Sequence, residues 1–368
     1  MHYRNCMDYL QIRGVLPFSI APFCPVDNLI LSTCAYLPFE EVLPPLAQDS
    51  WVPLPQAAQA LVQQPDWDAV GLIMAKDTPQ LLLLAAQSDR FSQVQVGLCQ
   101  AVREEDTQFA ALTWRLPDGT HYVSFRGTDD SLVGWKECFA MSYDFPVPAQ
   151  ALAQDYLVQA ARHCPGQLRV GGHSKGGNLA VWAAVHAPQQ VQDRICQVYS
   201  NDGPGFNQDL TTSPAYQALA GRLVTYVPQA SLVGTLLHQD PEAIVIRSHG
   251  VGTVGQHDPF SWQVHGTEFL PLPRRSRRGE RETAGFQGWV DSMNPAEREE
   301  FTEVFFSLLA ASQAETLSEL SQGWADSALA VVRAYADLPS QVRRDMLDFL
   351  WRFLVNMSTA GASSGRRP

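Results

Sequence analysis

The sequence has 368 residues, of which 45% are hydrophobic and 17% are charged, and its formal net charge is −12 at pH 7. This composition is typical of a globular protein, and the length accommodates one large α/β core with an added layer or two modest domains; we favour one domain with extensions. The negative charge disfavours generic binding to nucleic acid, and no stretch long enough to cross a bilayer is free of both charge and proline.

Two further features of the composition indicate the compartment. The first residues carry scattered charges and lack the apolar core of a secretory signal, which predicts a cytoplasmic protein. The seven cysteines are widely spaced and form no C-x-x-C pair, so neither a disulfide framework nor a zinc site is predicted. We expect no metal ion and no organic cofactor.

The N-terminal third changes from mixed to β-rich patterns. Residues 1–55 combine short apolar runs with frequent prolines, which predicts irregular structure with one helix or strand around Leu29–Leu37. Residues 55–84 are predicted to be helical in places. Three β-rich segments then predict a meander, with Asp118-Gly119 as the hairpin turn between the last two. They are Val94–Val102, Phe109–Arg115 and His121–Phe125.

After the meander, helical and strand-like segments alternate. Helices are predicted over Ala149–His163 and Asn178–Ala187, and strands over Leu168–Gly171, Ile195–Ser200, Val224–Val227 and Ala243–Arg247. Alternation of this kind implies a largely parallel sheet with right-handed crossovers. The predicted fold class is therefore α/β, a mostly parallel central sheet with helices on both faces.

The C-terminal quarter has a different pattern. From Arg281 to about Met357 the apolar residues recur at helical spacing, which predicts a helical extension. We therefore divide the chain into a core over residues 1–275 with its N-terminal extension, a helical extension over 276–357 and a disordered tail over 358–368. The arginines between 274 and 281 are interpreted as a solvated linker, with a site for an anionic partner as the alternative.

The most informative segment is Gly172–Gly177, which reads G-H-S-K-G-G and contains a G-x-S-x-G motif. A predicted strand precedes it and a predicted helix follows, which favours a nucleophile elbow over a glycine-rich turn that only packs. Gly172 and Gly176 meet the demand of the strained turn for small residues. Ser174 is therefore predicted to be a nucleophile, with the Lys175 N–H at the helix N-terminus stabilising an oxyanion. The Lys175 ammonium is expected to hydrogen-bond a neighbouring loop or the substrate.

A serine nucleophile needs a base, and five histidines follow the elbow. They are His186, His238, His249, His257 and His265. In α/β-hydrolases the chain order is serine, acid, histidine, with the histidine after the last strands, and the last three candidates satisfy that order. We favour His257, because it lies in a turn-rich loop before the strand-like segment Phe260–Val264. His265 is expected at a strand end, and His173 is expected to pack or hydrogen-bond locally.

The acid candidate is Asp202, which directly follows the strand after the nucleophile helix. From there its carboxylate would orient the imidazole. The alternative role for Asp202 is that of a turn residue, since Asp before Gly-Pro is common in turns. A literal G-x-G-x-x-G occurs at Gly250–Gly255, but no helix is predicted after it. A dinucleotide site is therefore not expected.

Together, these motifs resemble the Mbeg-like family of uncharacterised bacterial α/β-hydrolases, which are relatives of the class-three lipases. The resemblance rests on F-R-G-T at Phe125–Thr128 with Trp135, on the elbow, and on Gln256–Asp258 with Trp262. It implies an α/β-hydrolase fold over most of the chain. It also implies that Thr128 belongs to the oxyanion hole together with the Lys175 N–H.

The resemblance has one departure. Class-three lipases place the acid before a V-P pair after a later strand, but Thr225–Val233 contains no carboxylate here. Either Asp202 supplies the acid from the preceding strand, or the triad is degenerate.

We therefore expect a serine hydrolase that cleaves carboxylic esters, with acyl lipids among the candidate substrates, through Ser174, His257 and Asp202. One alternative is a catalytically degenerate hydrolase fold used for binding, and another is an acyltransferase or thioesterase with the same triad. Residues 129–147 and 203–220 are expected to cap the site. The expected partner is a small-molecule or lipid ester, transient membrane contact is compatible with the sequence, and nucleic acid is not expected.

Overall fold

The computed structural model describes residues 2–3, 5–68, 76–129, 131–206, 208–237, 240–316, 319–320 and 324–363. Within these residues, the main sheet has eight strands whose spatial order equals their chain order, β2 to β9, and a small three-stranded sheet contains β1, β10 and β11. The strands are β1 (His2–Tyr3), β2 (Trp51–Pro53), β3 (Gln95–Arg103), β4 (Gln108–Arg115), β5 (His121–Phe125), β6 (Leu168–His173), β7 (Ile195–Asn201), β8 (Leu223–Pro228), β9 (Ile244–Ile246), β10 (Val264–His265) and β11 (Glu268–Phe269).

The main sheet has an antiparallel part and a parallel part. Strands β2 to β5 pair antiparallel, and β5 to β9 pair parallel. The predicted meander is confirmed as β3, β4 and β5, and its last turn uses Gly119 at a φ of +82°. The predicted alternation of strands and helices is confirmed from β5 to β8, whereas the described residues between β8 and β9 contain only a 3₁₀ turn, Val233–Thr235.

Helices flank both faces of the sheet. They are α1 (Cys6–Arg13), α2 (Pro25–Cys34), α3 (Leu54–Val62), α4 (Thr78–Gln87), α5 (Leu132–Ala140), α6 (Pro148–His163), α7 (Lys175–His186), α8 (Gln189–Gln192), α9 (Gln208–Thr211), α10 (Pro214–Leu219), α11 (Gly252–His257), α12 (Arg277–Asp291), α13 (Pro295–Ala310), α14 (Trp324–Asp337) and α15 (Ser340–Ser363). None of the helices in the described part of the chain is both long and apolar enough to span a membrane.

The strand order explains which helices cover which face. When parallel strands follow one another in one direction, right-handed crossovers all lie on the same face. Helices α6 and α7 accordingly share one core with Val123 of β5, while α1 to α4 share another core with its neighbour Tyr122. Successive side chains of a strand point to opposite faces. The N-terminal segment therefore buries the face that the crossovers leave bare.

The prediction for the N-terminal segment was wrong in extent. It forms two helices, α1 and α2, and α2 spans Pro25–Cys34 where a single element over Leu29–Leu37 was expected. Proline at the first helical position is a start signal, because its missing N–H has no partner there anyway. Asn5 also begins a helix, since its side chain accepts hydrogen bonds from Met7 N and Asp8 N.

The predicted helical extension is observed as α12 to α15. Trp289 of α12 and Phe349 of α15 lie in a third apolar cluster, and Trp289 Nε1 donates to Phe349 O at 2.9 Å. The arginine run is not simply a linker, because α12 begins at Arg277 after the N-cap residue Ser276. The domain boundary between residues 275 and 276 stays a prediction.

The C-terminal tail also differs from its prediction as disordered. Helix α15 continues to Ser363, so residues 358–363 are helical, while residues 364–368 lie outside the described chain. The Ser358 and Thr359 hydroxyls donate to Val355 O. Small polar residues were interpreted as a sign of disorder, but hydroxyls that bond to the preceding turn are compatible with a helix.

Candidate active site

Ser174 lies at a sharp turn between β6 and α7. Its φ and ψ are 58° and −134°, a conformation that non-glycine residues rarely adopt. A Cβ on Gly176 would lie 2.1 Å from Phe125 O, and a Cβ on Gly172 would lie 2.4 Å from the Gly176 carbonyl. The two glycines are therefore needed because strand β5, strand β6 and helix α7 approach one another too closely for any side chain.

Asp202 and His257 meet beside this turn. Asp202 follows β7 at a φ of 54°, and its Oδ2 lies 2.6 Å from His257 Nδ1. Both side chains are buried, and Ser231 Oγ donates a second hydrogen bond to Asp202 Oδ2 at 2.5 Å. Sequence reasoning missed Ser231, which lies in the segment where class-three lipases were expected to carry the acid.

The surroundings of His257 differ from two expectations. His257 is the last residue of helix α11 rather than part of a loop. Of the segment predicted as strand-like, Phe260 and Ser261 belong to a 3₁₀ turn over Pro259–Ser261, and Val264 lies in β10. The helix begins at Gly252, inside the G-x-G-x-x-G segment, so the premise that no helix occurs there was wrong. Glycines lower helix propensity, which is why the sequence pattern concealed this short helix.

The other candidate bases lie elsewhere. His249 is exposed, His265 is an exposed residue of β10, the central strand of the small sheet, and His186 Nδ1 lies 2.9 Å from Trp182 O within α7. His238 lies outside the described residues. Among the described candidates, His257 has a carboxylate, that of Asp202, beside its Nδ1 atom. Asp202 lies between the serine and this histidine in the chain, as the expected order requires.

Ser174 itself is near a residue that sequence reasoning missed. Tyr36, from the N-terminal segment, lies within hydrogen-bonding reach of the Ser174 side chain and is 8% exposed. Within the described residues, no hydrogen bond joins Ser174 Oγ to His257 Nε2. Such bonds are often long in unliganded enzymes and shorten when a substrate binds.

The two residues predicted to form the oxyanion hole lie at the starts of the segments that follow β6 and β5. Lys175 is the first residue of α7, and the first N–H groups of a helix have no intrahelical partner. Thr128 follows β5 in the F-R-G-T turn, is 5% exposed, and its Oγ1 lies 2.9 Å from Cys138 Sγ. The contact with Cys138 of α5 fixes the orientation of the Thr128 hydroxyl.

The Lys175 ammonium binds neighbouring protein groups rather than facing the cavity. Nζ donates to Gln108 O at 2.6 Å, to Gln108 Oε1 at 2.8 Å and to Glu137 Oε2 at 2.9 Å. Glu137 also accepts from Ala149 N at 2.8 Å. Of the two expectations for this lysine, the structure therefore shows the contact with neighbouring segments. The buried pair ties the elbow to helices α5 and α6.

Replacing Lys175 by methionine is expected to destabilise the fold by about 3–5 kcal/mol, because Glu137 would remain as an unpaired buried charge. The matched control is Lys136→Met, which removes an exposed pair with Glu303 and is expected to cost less than about 1 kcal/mol. Urea unfolding of both variants measures the difference. Equal free energies of unfolding would contradict the assigned role of the buried pair.

Ser174 opens onto an apolar cavity of about 370 Å³. The residues that form its walls come from α5 and the turn after it, from the loop after β7, from the segment after β8, and from α12 and α13. They include Trp135, Phe139, Phe206, Leu236, Phe286 and Val290. Both segments expected to cap the site, 129–147 and 203–220, contribute. The wall formed by the C-terminal helices was not predicted, because helical spacing shows which residues are buried but not which element they cover.

Gly234, in the segment after β8, packs against the Asp202 carboxylate. A Cβ there would lie 2.0 Å from Asp202 Oδ1. Gly234→Ala is therefore expected to displace the carboxylate and to lower kcat for ester hydrolysis about 100-fold, the order expected for a misplacement of about 1 Å. Gly221→Ala is the control, because a Cβ at Gly221 meets no atom within 4 Å. Steady-state kinetics of the two variants decide; matching kcat values would contradict the prediction.

A family model for Mbeg1-like proteins matches residues 85–307, which is more than half of the chain. The chain belongs to the Mbeg1-like family. The match contains Ser174, Asp202, His257, Thr128 and Lys175, and it confirms the resemblance that the motifs indicated. Tyr36 and most of the N-terminal helical layer lie outside the matched residues.

No curated protein sequence matches the chain. Among solved structures, the chain is similar to two lipases. The propeptide complex of Rhizomucor miehei lipase is 14% identical with a TM-score of 0.32, and the match covers 52% of this chain and 66% of that one, less than two thirds. M37 lipase is 16% identical with a TM-score of 0.35, and the match covers 56% and 68%. The strand order, the crossovers and the elbow define an α/β-hydrolase fold.

Proposed function

We propose that this Mbeg1-like protein is a serine hydrolase that cleaves carboxylic esters with an apolar acyl group. The hydrogen bond of 2.6 Å between Asp202 Oδ2 and His257 Nδ1, beside a serine in a strained elbow, carries the proposal. It supplies a base with a fixed tautomer next to a nucleophile, which are the parts that acyl transfer to serine requires.

In the proposed reaction, Ser174 Oγ attacks the ester carbonyl carbon while His257 Nε2 accepts the hydroxyl proton. Asp202 accepts the Nδ1–H bond and stabilises the imidazolium that forms. The C–O bond to the leaving alcohol then breaks, and His257 returns the proton to the alcohol oxygen. A water molecule, deprotonated by His257, attacks the acyl-enzyme, and collapse releases the carboxylic acid and restores Ser174.

The negative charge that forms on the carbonyl oxygen needs donors in place beforehand. The Lys175 N–H at the start of α7 and the Thr128 turn are the groups proposed for this role. Each donor in such a hole contributes on the order of 3 kcal/mol to the transition state. The buried Lys175–Glu137 pair holds this amide in position, since it fixes the residue that carries it.

The cavity supports the substrate class. Its walls are mostly apolar and aromatic side chains, and Ser174 is one of its lining residues. An acyl chain bound there would leave water at about 0.8 kcal/mol per methylene, which corresponds to roughly a fourfold gain per carbon. We therefore infer that medium-chain esters are better substrates than acetate.

The test is the hydrolysis of p-nitrophenyl esters from acetate upward. The proposal expects kcat/KM to rise by up to about fourfold per methylene until the cavity is filled. Val290→Phe, which narrows the cavity at α12, is expected to lower the rate for long chains while leaving acetate unchanged. The control is Val332→Phe, because Val332 is exposed on α14 and does not line the cavity. A flat chain-length profile would contradict the acyl site.

The same assay separates the alternatives. Ester consumption that yields a new ester when an alcohol is added would favour acyl transfer, and a much higher rate for thioesters would favour a thioesterase. No turnover of any acyl substrate, together with an unreactive Ser174, would favour a degenerate hydrolase fold used for binding.

A further inference from the structure

The N-terminal segment around Tyr36 is held against the F-R-G-T turn by a single arginine. The Arg126 guanidinium donates to Ala35 O at 2.9 Å and to Leu37 O at 3.0 Å, on either side of Tyr36. It also forms a bidentate ion pair with Glu40, with contacts of 2.8 and 2.5 Å. Arg126 is buried, so these contacts fix the backbone position of Tyr36.

The Tyr36 hydroxyl reaches the elbow residue before the serine. It lies 3.1 Å from His173 Nδ1 and 3.2 Å from His173 O, close to the Ser174 side chain. Tyr36 is separated from the elbow by more than a hundred residues of sequence, yet its hydroxyl is part of the same polar cluster. A buried hydroxyl in such a place needs a partner, and His173 supplies one.

His173 in turn contacts His257. Its Nε2 lies 2.9 Å from His257 O, and the two imidazole rings stack with centroids 4.5 Å apart and planes at 30°. A carbonyl oxygen only accepts, so His173 Nε2 carries the proton. In the neutral ring Nδ1 is then an acceptor, and the Tyr36 hydroxyl shares its proton between this atom and the His173 carbonyl oxygen. The hydrogen bond to the His257 carbonyl therefore determines the tautomer of His173.

The charge of His173 matters for its neighbour. Burial and the nearby His257 hold the pKa of His173 well below its usual value, so the ring is neutral. A neutral ring stacked on His257 does not oppose protonation of the base, whereas a second cation 4.5 Å away would. The pair also faces the indole of Trp262, the Tyr36 hydroxyl, whose pKa is raised by burial, and Asp202. The Asp258 carboxyl, whose pKa is also raised by burial, interacts electrostatically with His257.

We propose that Tyr36 and His173 are positioning residues for His257: the His257 carbonyl selects the Nε2–H tautomer of His173, Tyr36 holds that ring through Nδ1, and His173 holds the backbone and ring of His257 beside Ser174. The inference rests on the proposed role of His257 as the base. It assigns part of the active site to the N-terminal segment, outside the residues that the family model matches.

The kinetic test compares Tyr36→Phe with Tyr156→Phe. Both changes remove a buried hydroxyl with two partners, but Tyr156 bonds Thr113 and Leu98, away from the site. Tyr36→Phe is expected to lower kcat by about 10- to 100-fold with little change in KM, because the base is misplaced and the acyl cavity is intact. An equal kcat in the two variants, or a loss confined to KM, would overturn the proposal.

A second pair of variants separates positioning from packing. His173→Gln retains an N–H donor for the His257 carbonyl and is expected to retain more kcat than His173→Leu, which has none. Equal losses in Gln and Leu variants of similar stability would overturn the role of the hydrogen bond.

A measurement that needs no activity completes the test. Nitrogen-15 NMR of the wild-type histidines is expected to show one ring, lost in His173→Gln, that stays neutral as the Nε2–H tautomer between pH 5 and 8. Tyr36→Phe is expected to raise the pKa of that ring, because a donor to the neutral form has been removed. An unchanged titration of His173 in Tyr36→Phe would overturn the positioning role, whether or not Ser174 is reactive. An unreactive Ser174 would instead refute the proposed hydrolase function.

Discussion

Replacing Ser174 by alanine is expected to lower ester hydrolysis about 10⁶-fold, the order lost when the serine of a triad is removed. The variant has no nucleophile, and only the oxyanion donors and the cavity remain to assist attack by water. Alanine at a φ of 58° is strained much as serine is, so the stability should stay within about 0.5 kcal/mol. Steady-state rates and thermal unfolding are the measurements.

The matched control for this variant is Ser88→Ala, which removes a hydroxyl that donates to Ala85 O at the end of α4, in the N-terminal layer. It should keep the wild-type rate. Residual hydrolysis by Ser174→Ala within tenfold of the wild type would show that the reaction does not proceed through this serine.

Asp202→Asn is expected to lower kcat about 10⁴-fold without unfolding the protein. Asparagine can donate to Nδ1 of His257, which would place the imidazole proton on Nε2, the atom that must accept the proton of Ser174. Ser231 Oγ would keep a carbonyl acceptor at residue 202, so the packing is retained. The variant should therefore lose kcat while its free energy of unfolding stays near that of the wild type.

The control for the acid is Asp240→Asn. Asp240 Oδ2 accepts from Thr225 Oγ1 on β8, the strand after which the class-three lipases carry their acid, and no contact with His257 is observed. Its activity should stay near that of the wild type. A full loss in Asp240→Asn together with an active Asp202→Asn would show that the acid is not at the end of β7.

Local features of the site and fold were predictable from sequence. The elbow is contained in six residues, and its flanking strand and helix have their own periodicity, so Ser174 could be located without tertiary information. Asp202 and His257 followed from chain order, because parallel strands place their carboxyl ends at one edge of the sheet. Their separation in the folded chain could only be measured in the structure.

Features that depend on long-range contacts could not be predicted. Tyr36 touches His173 across 137 positions of sequence, and no spacing rule connects them. The same holds for Ser231 beside Asp202, and for Glu137, whose charge is matched by Lys175 from a different element. Hydrogen bonds of this kind depend on which elements pack together, whereas periodicity reports only which side of an element is buried.

The C-terminal helices show the same limit. Their apolar spacing predicted burial, and Trp289 and Phe301 are indeed buried. Some of these apolar side chains form part of the wall of the cavity beside Ser174. The extension therefore contributes to the proposed substrate site. Truncation of this extension is therefore expected to expose the cavity.

The central claim is that Ser174 is an activated nucleophile, and labelling with a fluorophosphonate tests it most directly. The full-length protein is treated alongside Ser174→Ala and Asp202→Asn, and mass spectrometry locates the adduct. The account predicts a stoichiometric adduct on Ser174, no adduct in Ser174→Ala, and much slower labelling in Asp202→Asn. An unlabelled wild-type protein, or an adduct on a different residue, would contradict it.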